Sequence, residues 1–179
     1  MIEPTTLPAS SVRTPAFEKR RRQMLNPFLM RLYYLAKLPL AFVAGLRLRE
    51  LDERRAVVTV PYGWRTTNPF RSTYFAALSM AAELSTGALA MLQTDLAPRP
   101  VALLIVGLTA GFEKKATATT TFTCEEGDKL AAAVARTLET GEPATAEVET
   151  IGRASDGTVV ARFTFTWSFK VRSSQASRS

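Results

Sequence analysis

The stretch STYFAALSMAAELSTGALAMLQT, residues 72–94, decides the fold. Over 23 residues it holds one ionisable side chain, Glu83. Its Ala, Leu and Met content favours helix, and Gly87 is the only residue in it that clearly does not. Ala76, Ala77, Leu78, Met80, Ala81, Ala82, Leu84, Ala88 and Leu89 leave no wide polar face, so the spacing predicts a helix enclosed by other structure. Helical spacing also places Ser72, Phe75, Ser79, Glu83 and Thr86 on one narrow polar stripe. A carboxylate so placed is either paired or desolvated and available for proton chemistry.

The flanks of this helix have strand patterns. Leu46 to Leu51 and Ala56 to Tyr62 are two expected strands, the second rich in β-branched residues. Trp64 to Arg71 is a loop carrying Asn68-Pro69. Val101 to Thr109 is an almost continuous apolar run, as suits a strand buried on both faces or lying in a subunit interface. Ala116 to Cys124 alternates and is Thr-rich. Asp128 to Thr140 has helical composition and ends at Gly141. A hairpin follows: Ala144 to Arg153, the turn Ser155-Asp156-Gly157, then a strand in which Val159, Ala161, Phe163, Phe165, Trp167, Phe169 and Val171 form one wholly apolar face.

Before all of these, Phe17 to Val43 has helical periodicity, with Met24, Phe28, Leu32, Leu35 and Leu38 at spacings of three or four, as for an amphipathic helix packed on its own domain. Asn26-Pro27 and Pro39 mark breaks in it. Residues 1–15 and 172–179 have the composition of flexible tails, leaving an N-terminal helical segment over 16–45 and one main domain over 46–171. Six strands and one central apolar helix imply an α+β arrangement: a curved six-stranded antiparallel sheet wrapped around one long helix, with a short crossover helix and the N-terminal helical segment as additions.

Composition narrows the chemistry. The chain contains no histidine, which removes Ser-His-Asp and Cys-His nucleophile pairs, histidine-ligated zinc and imidazole bases. Proton transfer must use carboxylate, lysine, tyrosine or water. The lone cysteine, Cys124, forms no internal disulfide and has no histidine to activate it, and no secretion-type apolar core opens the chain, so a cytoplasmic location is expected. The net charge of +7 is concentrated before residue 56, where eleven Lys/Arg face five Asp/Glu. Within that segment, Lys19 to Arg22, KRRR, is either the solvated face of a leading helix or a contact for phosphate, RNA or an anionic lipid surface.

The order of elements, together with Asn68-Pro-Phe-Arg-Ser-Thr-Tyr-Phe-Ala-Ala-Leu-Ser-Met-Ala-Ala-Glu83, resembles the hotdog-fold thioesterases, in particular an uncharacterised family related to the phenylacetyl-CoA-pathway thioesterases. Those enzymes carry an asparagine, then a histidine and paired glycines at the start of the hotdog helix, then an acidic residue further along it. Aligned without gaps, the asparagine falls on Asn68, the histidine on Tyr74, the glycines on Phe75 and Ala76, and the acid on Glu83. The resemblance implies hydrolysis of an acyl-CoA or acyl-carrier thioester. In that reading Glu83 is base or nucleophile and the Phe75 N–H faces the carbonyl oxygen, with Tyr74 adding a hydroxyl, Asn68 holding water and Ser79 orienting Glu83.

Lys114 and Lys115 fall where the family places a basic residue near the CoA phosphates. No metal and no cofactor beyond the substrate's own CoA is implied. Nor is a nucleic acid or a membrane-spanning segment expected, and the resemblance implies a homodimer or homotetramer. The alternative is a hotdog protein that binds an acyl thioester or lipid without turning it over. The residues alone leave a structural use for Glu83 open, bonded to Ser79, Asn68, Arg65 or Arg71, and leave Asn68 free to serve its own Asn-Pro turn.

Overall fold

The computed structural model describes residues 14–172. Both terminal tails expected from composition lie outside the described residues, apart from one or two residues at their inner ends.

Three short helices lead, each opening on a proline in its first turn, where the missing N–H costs nothing. They are α1 (Pro15–Leu25), α2 (Pro27–Lys37) and α3 (Pro39–Ala44). Asn26 ends α1 and caps α2, its Oδ1 accepting from the Phe28 and Leu29 N–H groups at 3.0 and 3.1 Å. Gly45, at φ +75°, closes α3 in the left-handed conformation that glycine adopts without strain.

The remaining elements are β1 (Arg47–Leu51), β2 (Ala56–Val60), α4 (Phe75–Asp95), β3 (Val101–Phe112), β4 (Thr120–Cys124), α5 (Gly127–Thr140), β5 (Ala144–Arg153) and β6 (Val159–Val171). The six strands form one antiparallel sheet in the order β1-β2-β4-β5-β6-β3. The sheet curves around α4, the arrangement expected from the sequence. The inward face of β6 supplies Phe163, Phe165, Trp167 and Phe169, all buried, while β5 opposes them with Ala144, Ala146, Val148 and Thr150. Twelve residues of α4 are buried, among them Ala81, Ala82, Leu89, Ala90 and Leu92. This helix is long and apolar enough to cross a membrane, yet 67% of its most apolar window is buried inside the protein, as a core helix must be.

Three expectations are corrected. First, β3 is not buried on both faces. It is the last strand of the sheet, pairs with β6 alone, and leaves Leu104, Val106 and Leu108 exposed. Sequence periodicity does not distinguish such a strand from one covered on both sides, and of the two expectations for this run only burial within the chain is overturned.

Second, β4 begins at Thr120, not Ala116, because the Ala116 carbonyl is occupied by the loop before α4, accepting from the Thr73 N–H at 2.7 Å and from the Thr73 hydroxyl at 3.1 Å. Third, the apolar series from Met24 to Leu38 is not one packed face. Met24 is buried, but Phe28, Leu32, Leu35 and Leu38 are exposed, and Tyr34 is the buried residue of α2. The break at Asn26-Pro27 re-aims α2, so the helical register does not carry across it.

Candidate active site

The approach to α4 is a tightly bonded loop. The Thr66 hydroxyl donates to the Pro61 carbonyl at 2.7 Å, and the Thr66 carbonyl in turn accepts from the Tyr74 N–H at 2.6 Å. Asn68 Oδ1 accepts from the Phe70 N–H at 3.0 Å, and from the Ser72 N–H and hydroxyl at 3.2 Å each. Its carbonyl-like oxygen is thus committed to the turn, where Arg71 is held at φ 58°. Of the two uses open to Asn68 from the sequence, the loop-shaping one is formed.

This loop delivers Tyr74 as the N-cap of α4 without a side-chain cap. The Tyr74 carbonyl accepts from Ala77 and Leu78, which leaves the Phe75 and Ala76 N–H groups without an acceptor among the described residues. Two free donors and the positive end of a 21-residue helix make this a place where a developing negative charge is stabilised. It opens on a cavity of about 570 Å³ lined by Asn68, Tyr74, Phe75, Phe112, Lys114 and Lys115 among others. The Phe75 ring packs edge-on against Tyr74 and Phe112, with centroids 4.9 and 6.4 Å apart.

Glu83 lies elsewhere along the same helix. Eight residues separate it from Phe75, a distance of about 12 Å at 1.5 Å per residue. Its side chain is half-buried and forms no hydrogen bond or ion pair with any described residue, so none of Ser79, Asn68, Arg65 or Arg71 holds it. Desolvation pushes its carboxyl above the ordinary range. Ser79 points its hydroxyl back to the Phe75 carbonyl at 2.9 Å instead. The Glu83 carboxylate lies over Gly87, where an added Cβ would stand 3.1 Å from Glu83 Oε1 and 3.4 Å from the Trp167 ring. Glycine here is a matter of space for both groups.

Asn68, Tyr74, Phe75, Lys114 and Lys115 therefore meet around one cavity, while Glu83 and Ser79 do not line it. Two residues near Glu83 escaped sequence reasoning. Trp167 holds the Glu83 turn through Thr86, and Tyr34 brings a buried phenol near enough to feel the Glu83 charge. Burial raises the Tyr34 hydroxyl well above its usual pKa, with the nearby Leu48 backbone opposing that rise. Cys124 is buried and its thiol is pushed up to about 11, which leaves it protonated and inert. Among the described residues no group of His, Cys, Asp and Glu is arranged to hold a metal ion.

A curved antiparallel sheet closed around one helix, with the helix N-terminus open on a cavity at the sheet edge, defines a hotdog-fold protein. Residues 28–169 match the family described as Domain of unknown function (DUF4442), and the chain belongs to that family. No curated protein sequence matches it.

Among solved structures, a Shewanella oneidensis protein provisionally named a thioesterase is similar at TM-score 0.69 and 14% identity, over 84% of this chain and 99% of that one. A Pseudomonas aeruginosa protein of unknown function, likewise provisionally named a thioesterase, gives 0.66 and 21% over 87% and 95%. A Haemophilus influenzae thioesterase gives 0.61 and 12% over 81% and 92%. At these identities the likeness carries the fold.

Proposed function

We propose that this protein hydrolyses an acyl-CoA or acyl-carrier thioester, acting as a homodimer with a site shared between subunits. The observation that supports the reading is the isolated, desolvated carboxylate of Glu83, in a helix whose free N-terminal amides open on a cavity. The Phe75 N–H donates to the thioester oxygen and stabilises the negative charge that develops on it. Glu83 takes a proton from water as it attacks the acyl carbon and returns that proton to the departing thiolate. Atoms balance as thioester plus water giving acid plus thiol.

Some 12 Å along the helix is too far for both groups to serve one carbonyl in a single protomer. The unpaired apolar edge of β3 offers the means of bringing in a second copy, because an open strand edge favours pairing with another chain. That edge reaches the cavity at Phe112, so a partner seated on it approaches the Phe75 amide. Lys114 and Lys115 at the cavity mouth suit the phosphates of CoA.

Purified protein incubated with a panel of acyl-CoAs and a thiol reagent is expected to release CoA, and Glu83→Gln to abolish release. Turnover that survives the substitution overturns the mechanism. The second reading, binding without turnover, is favoured by Phe75 and Ala76 standing where related enzymes carry paired glycines. It predicts a raised melting temperature with acyl-CoA and no CoA release.

A further inference from the structure

A second cavity of about 570 Å³ lies between α2, α3 and the outer strands β1 and β2. Four arginines line it: Arg31, Arg47, Arg49 and Arg65, with no Asp or Glu in the lining. Several other arginines of the described chain are neutralised by carboxylates. Arg20 pairs with Asp95, Arg54 with Asp128, Arg55 with Glu50 and Glu125, and Arg162 with Glu113.

None of the four basin arginines has a carboxylate partner among the described residues. Instead, Arg31 stacks 4.6 Å over the Phe42 ring, Arg49 donates to the Thr59 hydroxyl at 3.2 Å, and an Arg65 guanidinium nitrogen lies against Gly45. The buried Tyr34 hydroxyl, also in the lining, faces the Leu48 backbone. Like charges gathered without counter-ions raise one another's energy, and a multivalent anion relieves this.

Beside the basin, α2 and α3 expose a ridge of large apolar side chains. Phe28, Leu32, Leu35, Leu40 and Val43 are each at least half exposed, at 50–71%. Phe28, Leu32 and Leu35 lie one helical step around α2 from Pro27, Arg31 and Tyr34, which face the basin. An apolar ridge flanked by unpaired arginines is the pattern of a segment that lies in a membrane interface. A protein partner covering the ridge would need to supply acids to the basin as well, whereas anionic phospholipids supply both phosphate and acyl chain at the same surface.

We infer that α2, α3 and the arginine basin dock this protein on an anionic phospholipid bilayer, with headgroup phosphates entering the basin and the ridge entering the acyl-chain boundary. Docking at this surface is independent of the hydrolytic reading, since neither Glu83 nor the Phe75 amide takes part.

The full 179-residue chain is floated with phosphatidylcholine vesicles and with vesicles that also contain phosphatidylglycerol. Flotation with the second kind only, lost progressively as salt is added, is expected. Arg47→Gln with Arg65→Gln should weaken that binding about thirtyfold, from roughly fivefold per arginine. Phe28→Ser with Leu32→Ser should weaken it too, with melting temperatures unchanged in both variants as the folding control. Flotation that is absent, equal on neutral vesicles, or untouched by both variants overturns the proposal. So does calorimetric binding of glycerol phosphate without vesicle binding, which makes the basin a soluble-ligand site. A ridge variant that changes only the sedimentation coefficient also overturns it, assigning the ridge to a second copy of the chain.

Discussion

Trp167 on β6 donates its indole N–H to the Thr86 hydroxyl at 3.1 Å, and that hydroxyl donates in turn to the Glu83 carbonyl at 3.1 Å. The sheet thereby grips the turn of α4 that carries the isolated carboxylate. Thr86→Val keeps the shape and leaves the buried indole N–H without an acceptor, at a cost of about 1–3 kcal/mol. Thermal unfolding is expected to show this loss, and Thr86→Ser to restore most of it. Equal stability of the Val and Ser variants would mean that the grip is of no energetic consequence.

Glu83 should leave a pH signature in stability. Its pKa is raised by folding, so the native state binds its proton more tightly than the unfolded chain does, and the burial penalty appears as pH rises above the ordinary carboxylate range. Glu83→Gln removes that penalty. The variant is expected to melt higher than wild type at neutral pH, with the two curves converging as pH falls through the range where an unfolded glutamate protonates. Melting temperatures measured across pH check this.

Catalysis should depend on the same group with the opposite consequence. Only the deprotonated carboxylate acts as base, so CoA release is expected to rise with pH through the elevated Glu83 pKa. Loss of a general base typically lowers the rate by about two to four orders of magnitude, which is the expected deficit of Glu83→Gln. The pH–rate profile of the free enzyme is the measurement, and a flat profile would count against Glu83.

Gly87→Ala separates activity from stability. Alanine is the better helix former by about 1 kcal/mol. Its Cβ, however, would stand 3.1 Å from Glu83 Oε1, so the carboxylate must shift. A melting temperature close to wild type with kcat reduced about tenfold is expected, since small misplacements of a reacting group are costly. Full activity would show that the resting position of this carboxylate is not the working one.

The edge of β3 tests the shared site. Val106 and Leu108 are about half exposed, so Val106→Glu with Leu108→Glu should barely alter folding. The pair is expected to shift sedimentation from dimer to monomer and to abolish CoA release together. A monomer that still turns over would place the whole site in one chain.

Much of the fold was legible because its signals are local. The period-2 pattern of Phe163, Phe165, Trp167 and Phe169 needs only the pleat to become the inner face of β6. The apolar girth of residues 72–94 needs only helix geometry to demand a surrounding sheet. By contrast, the burial of α2's apolar residues depends on the angle at Asn26-Pro27, and no local pattern reports that angle. Likewise β3 and a doubly covered strand share one composition.

The candidate site divides in the same way. Sequence alone determined that the chemistry must do without histidine and that Glu83 is the one ionisable side chain in residues 72–94, because residue type and helical spacing are properties of the chain. Tertiary structure decided that Asn68 is committed to its turn, that Tyr34 and Trp167 stand near Glu83 from opposite ends of the sequence, and that four arginines spread from residue 31 to 65 share one basin. Those are distances between segments remote in the chain, set by how the sheet curls around α4, and only the folded arrangement fixes them.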